Sequence, residues 1–181
     1  VGDNPHRWYD PSDVLTVART ITADLRQLDP KDAGYFDRQL ASFTTNGLAQ
    51  YHALIAQIRS RYRGVPVGAS ESIFALQAPA LGLNLLTPSS FMKALSEGTE
   101  VSAQDTVTIQ RQITSHQIKV WIYNSQNATP QVQRLNSLAR ANHIPIATVT
   151  ETLDPVAYNF EQWQVGQLRR IEQALHQATG R

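Results

Sequence analysis

At 181 residues and 41% hydrophobic content, the chain can bury one sizeable core, and its formal net charge of +1 gives no electrostatic footprint for strong nucleic-acid binding. No apolar run approaches the roughly 20 residues that span a bilayer. The absence of cysteine excludes disulfides, thiolate zinc sites and cysteine nucleophiles.

The chain opens on Asn4-Pro5-His6-Arg7-Trp8-Tyr9-Asp10-Pro11. Pro5 fixes its own φ and biases Asn4 toward an extended conformation, while Asp10 is suited to cap a helix with Pro11 at its first position. His6 is thereby set on a stiff loop just before a helix start. Val14, Ala18, Ile21 and Leu25 then recur at helical spacing over residues 10 to about 28, and Asp29-Pro30 stops that helix and starts another. The next apolar series, Phe36, Leu40, Phe43, Leu48, Tyr51, Ile55, Ile58 and Tyr62, runs to a capping Gly64. Such a helix of about 30 residues would extend about 45 Å. Arg59, Arg61 and Arg63 read as its solvated end, where cations favour the macrodipole.

From Val65 onward the pattern changes. Short extended runs over residues 65–69, 83–86, 118–123 and 144–149 alternate with amphipathic stretches over residues 72–81, 102–116, 130–143 and 158–178. This alternation predicts an α/β fold in which a parallel sheet is covered by helices. Ligands of such sheets collect beyond the carboxyl ends of the strands, and Glu71, Gln126 and Glu151 each follow a predicted strand. They can therefore converge on one rim. His52, His116, His143 and His176 lie in or near predicted helices without a paired-histidine or HExxH pattern, and no Walker loop, GxGxxG or GxSxG motif is present.

The N-terminal octet resembles the NPHxWxDP signature of the zinc and manganese substrate-binding proteins of ABC transporters, and later segments match the same family in the same order. Ala69-Ser70-Glu71-Ser72-Ile73-Phe74 resembles the loop of its third metal ligand. Trp121-Ile122-Tyr123-Asn124-Ser125-Gln126 is similar to its strand-end segment near the cleft. Ile144-Pro145-Ile146 followed by Thr150-Glu151-Thr152 resembles its last strand and the loop of the acidic fourth ligand. The order of these matches is more specific than any one of them.

The resemblance implies a division into residues 1–28, a remnant of an N-terminal lobe, residues 29–64, a long interlobe linker helix, and residues 65–181, a C-terminal α/β lobe. It implies His6, Glu71 and Glu151 as metal ligands. The alternative for Glu71 is a cap on the helix that begins at Ser72, and the alternative for Glu151 is Asp154, three residues later. Gln126 is expected to hydrogen-bond behind the ligands. An imidazole with carboxylates suits zinc or manganese and leaves the choice between them open. The implied function is capture of a divalent metal ion outside the cytoplasm, in the periplasm or on a membrane-anchored lipoprotein, for delivery to an ABC permease, with no reaction catalysed. Because the match covers only the later part of the family's length, metal is expected to bind weakly or not at all, and the first helix is expected to repack or to form a homodimer. The alternatives are a small α/β metal-dependent hydrolase or chelatase, and a helix-mediated interaction module.

Overall fold

The structure, a computed structural model, describes residues 4–181; residues 1–3 of the expected N-terminal segment lie outside the described residues. A 3₁₀ turn, Arg7–Tyr9, leads into α1, Pro11–Leu28. Asp10 caps α1 by accepting from the Ser12 N–H at 2.8 Å, and Pro11 occupies the first turn, where its missing N–H costs nothing. Asp29 ends α1 and caps the 3₁₀ turn Pro30–Asp32, after which α2 spans Ala33–Ser42. A π turn, Phe43–Gly47, joins α2 to α3, Ala49–Tyr62. Helical backbone thus runs from Ala33 to Tyr62 as expected in extent, but it is broken into segments. Gly47 and the β-branched Thr44 and Thr45 sit at the break, where helix propensity is lowest.

Only Val14 and Thr22 of α1 are buried, and no residue of α2 is. The two helices pack on each other and are tied by Arg26 and Asp37 at 3.4 Å. The expected apolar stripe therefore divides: Val14 enters the core, whereas Ile21 and Leu25 are 53% and 39% exposed. In α3 the pattern closes properly, with Tyr51, Leu54, Ile58 and Tyr62 buried on one face. Gly64 follows with φ of 78°, a conformation that costs glycine little.

Beyond Gly64 lies a four-stranded parallel sheet in the order β2-β1-β3-β4, formed by β1, Pro66–Ala69, β2, Asn84–Leu85, β3, Val120–Asn124, and β4, Ile146–Val149. Successive side chains point to opposite faces, so burial of Val120, Trp121 and Ile122 in sequence means that both faces of β3 are covered. The covering helices are α4, Ser89–Ser96, α5, Ala103–Thr114, α6, Pro130–Ala141, and α7, Phe160–Thr179. α7 packs on β3, β4 and α3, while α6 packs on β3, β4 and α5. Gly68 permits the sheet to close on its central tryptophan, since a Cβ there would meet Ile118 Cδ1 at 2.9 Å and Trp121 Cε3 at 3.0 Å.

Two local elements differ from the sequence pattern. The stretch expected as a helix over 72–81 is only a 3₁₀ turn, Ser72–Leu76, because Pro79 supplies no N–H and disfavours helical backbone at Ala78. Helix α4 was not expected; Phe91, Met92 and Leu95 bury its one apolar face, and Gly98 at φ of 65° follows its end.

Candidate metal-binding rim

The carboxyl ends of β1, β3 and β4 carry Glu71, Asn124 and Glu151, which brings segments far apart in the chain to one edge of the sheet. The octet is fastened to the same edge by Tyr9. Its buried hydroxyl lies 2.8 Å from the carbonyl oxygen of Thr150 and 2.7 Å from Oε1 of Gln167 on α7. Burial pushes the Tyr9 phenol well above its ordinary range, so it stays neutral and keeps its proton for those oxygens. Trp163 on α7 donates to Thr150 Oγ1 at 2.7 Å, closing this anchor.

That anchor sets His6, 6% exposed, against the loop after β4. His6 Nε2 lies 3.3 Å from Glu151 Oε1, and the opposite ring nitrogen, Nδ1, lies 2.8 Å from Asn4 Oδ1. Trp8 packs edge-on against the imidazole with centroids 5.5 Å apart.

Glu71 is 3% exposed and does not cap the turn that follows it. Its carboxylate instead accepts from Asn124 Nδ2 at 3.0 Å and from Asn127 Nδ2 at 2.5 Å. Burial raises its pKa, and the two amide donors pull it back; the charge of Glu151 adds to the rise and His6 opposes it. Glu71 is therefore within electrostatic reach of both partners at the rim. Asn124 is itself held in place, since its Oδ1 accepts from the Gln126 N–H at 2.9 Å.

Gln126 is turned toward the loop after β4. Its Oε1 accepts from the N–H groups of Glu151 and Thr152 at 2.8 and 2.9 Å, and its Nε2 donates to Thr152 Oγ1 at 2.9 Å. Residues 151–159 are all exposed. Asp154 lies on this stretch, before Pro155, and is exposed with it.

The structure thus pairs His6 with Glu151 directly and places Glu71 behind them, held by two amides. Among the described residues, no three histidine or acidic side chains form a cluster able to hold a metal ion. The chemistry of the set, one imidazole and two carboxylates on a rim, suits zinc or manganese, but the donors face one another and do not surround a common centre. Asn4, Asn124 and Asn127 were not singled out from the sequence. The one local signal for the latter pair is their spacing of three across the 3₁₀ turn Ser125–Asn127, which turns both amides to the same side.

The family model described as zinc-uptake complex component A, periplasmic (ZnuA), matches residues 2–174. The chain belongs to this family. No curated protein matches it. Among solved structures, a periplasmic metal-binding protein from Candidatus Liberibacter asiaticus is similar with a TM-score of 0.75 and 17% identity, over 95% of this chain and 64% of that one. Its manganese-bound form gives 0.73 and 17% over 95% and 63%. A mutant of the laminin-binding adhesin from Streptococcus agalactiae gives 0.75 and 20% over 94% and 62%. These likenesses show that this ZnuA-family chain shares their fold, and that it spans less than two thirds of their length.

Proposed function

We propose that the chain captures a divalent metal ion, zinc or manganese, as part of the solute-binding component of an ABC importer, with His6, Glu71 and Glu151 as ligands. The observation that carries this reading is the meeting of His6 Nε2 and Glu151 Oε1 at 3.3 Å beside the buried Glu71, on the sheet edge where ligands collect. Gln126 supports the site by holding the Glu151 loop, and Glu151 is favoured over Asp154 because its side chain alone meets His6. Membership in a family described as periplasmic supports an extracytoplasmic location and delivery to a permease. The metal is cargo, and the reading assigns no reaction.

The proposed organisation keeps residues 1–28 as part of an N-terminal lobe, 29–64 as the interlobe helix and 65–181 as the C-terminal lobe. Val17, Ile21, Leu25 and Leu28, all exposed on α1, support association of two copies through the first helices, at roughly 25 cal/mol for each Å² of apolar surface covered. Light scattering should then report a dimer; a monomer over a wide concentration range would remove that part of the reading.

Calorimetric titration with zinc and with manganese tests the site. Weak but saturable binding at one site is expected, abolished by His6→Ala and by Glu151→Ala. Binding that survives both substitutions would place the metal elsewhere.

A further inference from the structure

We propose that Asn4 sets the tautomer of His6, keeping the ring proton on Nδ1 and turning the Nε2 lone pair to the rim; this rests on the reading of His6 as a ligand. The orientation of the Asn4 amide is fixed twice. Its Nδ2 stands 2.6 Å from the carbonyl oxygen of Ser72, which can only accept, and its Oδ1 stands 3.1 Å from the backbone N–H of His6, which can only donate. The oxygen is therefore the atom that faces the imidazole at 2.8 Å. A carbonyl oxygen has no proton to give, so Nδ1 must supply it, and in the neutral ring Nε2 is left as the acceptor.

That arrangement matters because Nε2 is the nitrogen that faces Glu151 Oε1. With the proton held on the far side, Nε2 keeps a bare lone pair on the side of Glu151, as ligation of a cation requires. Without Asn4 the ring could protonate at Nε2 and donate to Glu151, which would satisfy the two groups with each other and close the position. Asn4 also joins the octet to the residue after Glu71, so one amide ties the His6 ring to the loop of the buried carboxylate. Pro5 biases the Asn4 backbone toward an extended conformation, and the Asn4 side chain accepts from the His6 N–H.

The experiment is a long-range proton–nitrogen correlation of the imidazole rings in ¹⁵N-labelled, metal-free protein at alkaline pH. It is recorded in a Glu151→Ala background, where no carboxylate competes for Nε2, and His6 is assigned by the signals lost in His6→Gln. We expect Nδ1 protonated and Nε2 bare. Adding Asn4→Ala should move the ring toward the Nε2-protonated form, and Asn4→Asp, which retains an acceptor, should restore the Nδ1-protonated form. A protonated Nε2 with Asn4 intact, or a tautomer indifferent to Asn4→Ala, would overturn the inference. A role confined to tying loops together would not move the tautomer, and loss of fold in Asn4→Ala would leave Asn4→Asp and the parent to decide. Zinc titration of Asn4→Ala with Glu151 restored should show affinity reduced by roughly 10–100-fold, the usual cost of losing a partner behind a metal-bound histidine. If the tautomer responds and His6→Ala leaves zinc affinity unchanged, the inference stands and the ligand reading beneath it falls.

Discussion

The two acidic groups of the rim are held in opposite ways. Glu71 is buried, and two asparagine amides, Asn124 at the end of β3 and Asn127 on the turn after it, each donate to its carboxylate. Glu151 stands at the head of an exposed stretch, and the side chain of Gln126 clamps the N–H groups of Glu151 and of its neighbour Thr152. Pinning a carboxylate in the interior requires charge-assisted hydrogen bonds to offset lost hydration, and such a group cannot move without leaving donors unpaired. A carboxylate on a solvated loop keeps its water and needs no such donors. One side of the rim is thus a wall pinned in the interior, and the other a solvated arm held through its backbone by Gln126.

The largest expected effect is on the wall. Glu71→Gln should lower zinc affinity by more than the roughly 10–100-fold that loss of a supporting partner costs, measured by calorimetry. The same variant should change the pH dependence of stability. Because burial raises the Glu71 pKa, the folded chain holds a proton that the unfolded chain gives up, so stability is greatest below the ordinary glutamate range and falls as pH rises toward the raised value. As pH rises above the ordinary glutamate value of 4.5, thermal melts of Glu71→Gln should therefore lose less stability than those of the parent. An equal loss in both would mean that Glu71 is not held in a desolvated position.

Next in size is Asn124→Ala, which leaves Glu71 short of a donor and the Gln126 N–H without its acceptor. Denaturant unfolding should show about 1–3 kcal/mol of destabilisation. The combination with Glu71→Leu should cost less than the sum of the two single changes, since the carboxylate that needs the amide is gone. Additive effects would break the picture of a built wall.

The arm should respond differently. Gln126→Ala removes bonds to an exposed loop, so stability should fall by less than about 1 kcal/mol, while amide exchange at Glu151 and Thr152 accelerates and zinc affinity drops by roughly tenfold. A large loss of stability without faster exchange would make the loop as rigid as the wall. Smallest of all is Asp154→Asn, expected within about 0.5 kcal/mol of the parent and with unchanged affinity, as for other exposed substitutions. A clear loss of zinc binding there would move the acidic ligand from Glu151 to Asp154.

Much of the frame could be read from local chemistry. Asp10-Pro11, Asp29-Pro30 and Gly64 mark helix ends through capping and fixed φ, which act within a few residues. The alternation of short apolar runs with helical periodicity after Val65 specified parallel strands under helices, because antiparallel hairpins need only short turns between strands. What local chemistry misjudged was also local in appearance: the periodicity over 72–81 ignored the proline at its end, and the uniform helix through Phe43 ignored the weak formers that follow it.

The sequence by itself therefore determined the helical first third, the parallel sheet and the edge on which strand-end residues gather, since these follow from backbone periodicity and chain connectivity. Only the tertiary structure decided which polar groups meet. Glu71 and Asn124 are 53 positions apart, and His6 and Glu151 are 145 apart. Their contacts depend on strand register, on the Tyr9 anchor and on burial that makes a missing donor costly, none of which any single segment of the chain encodes.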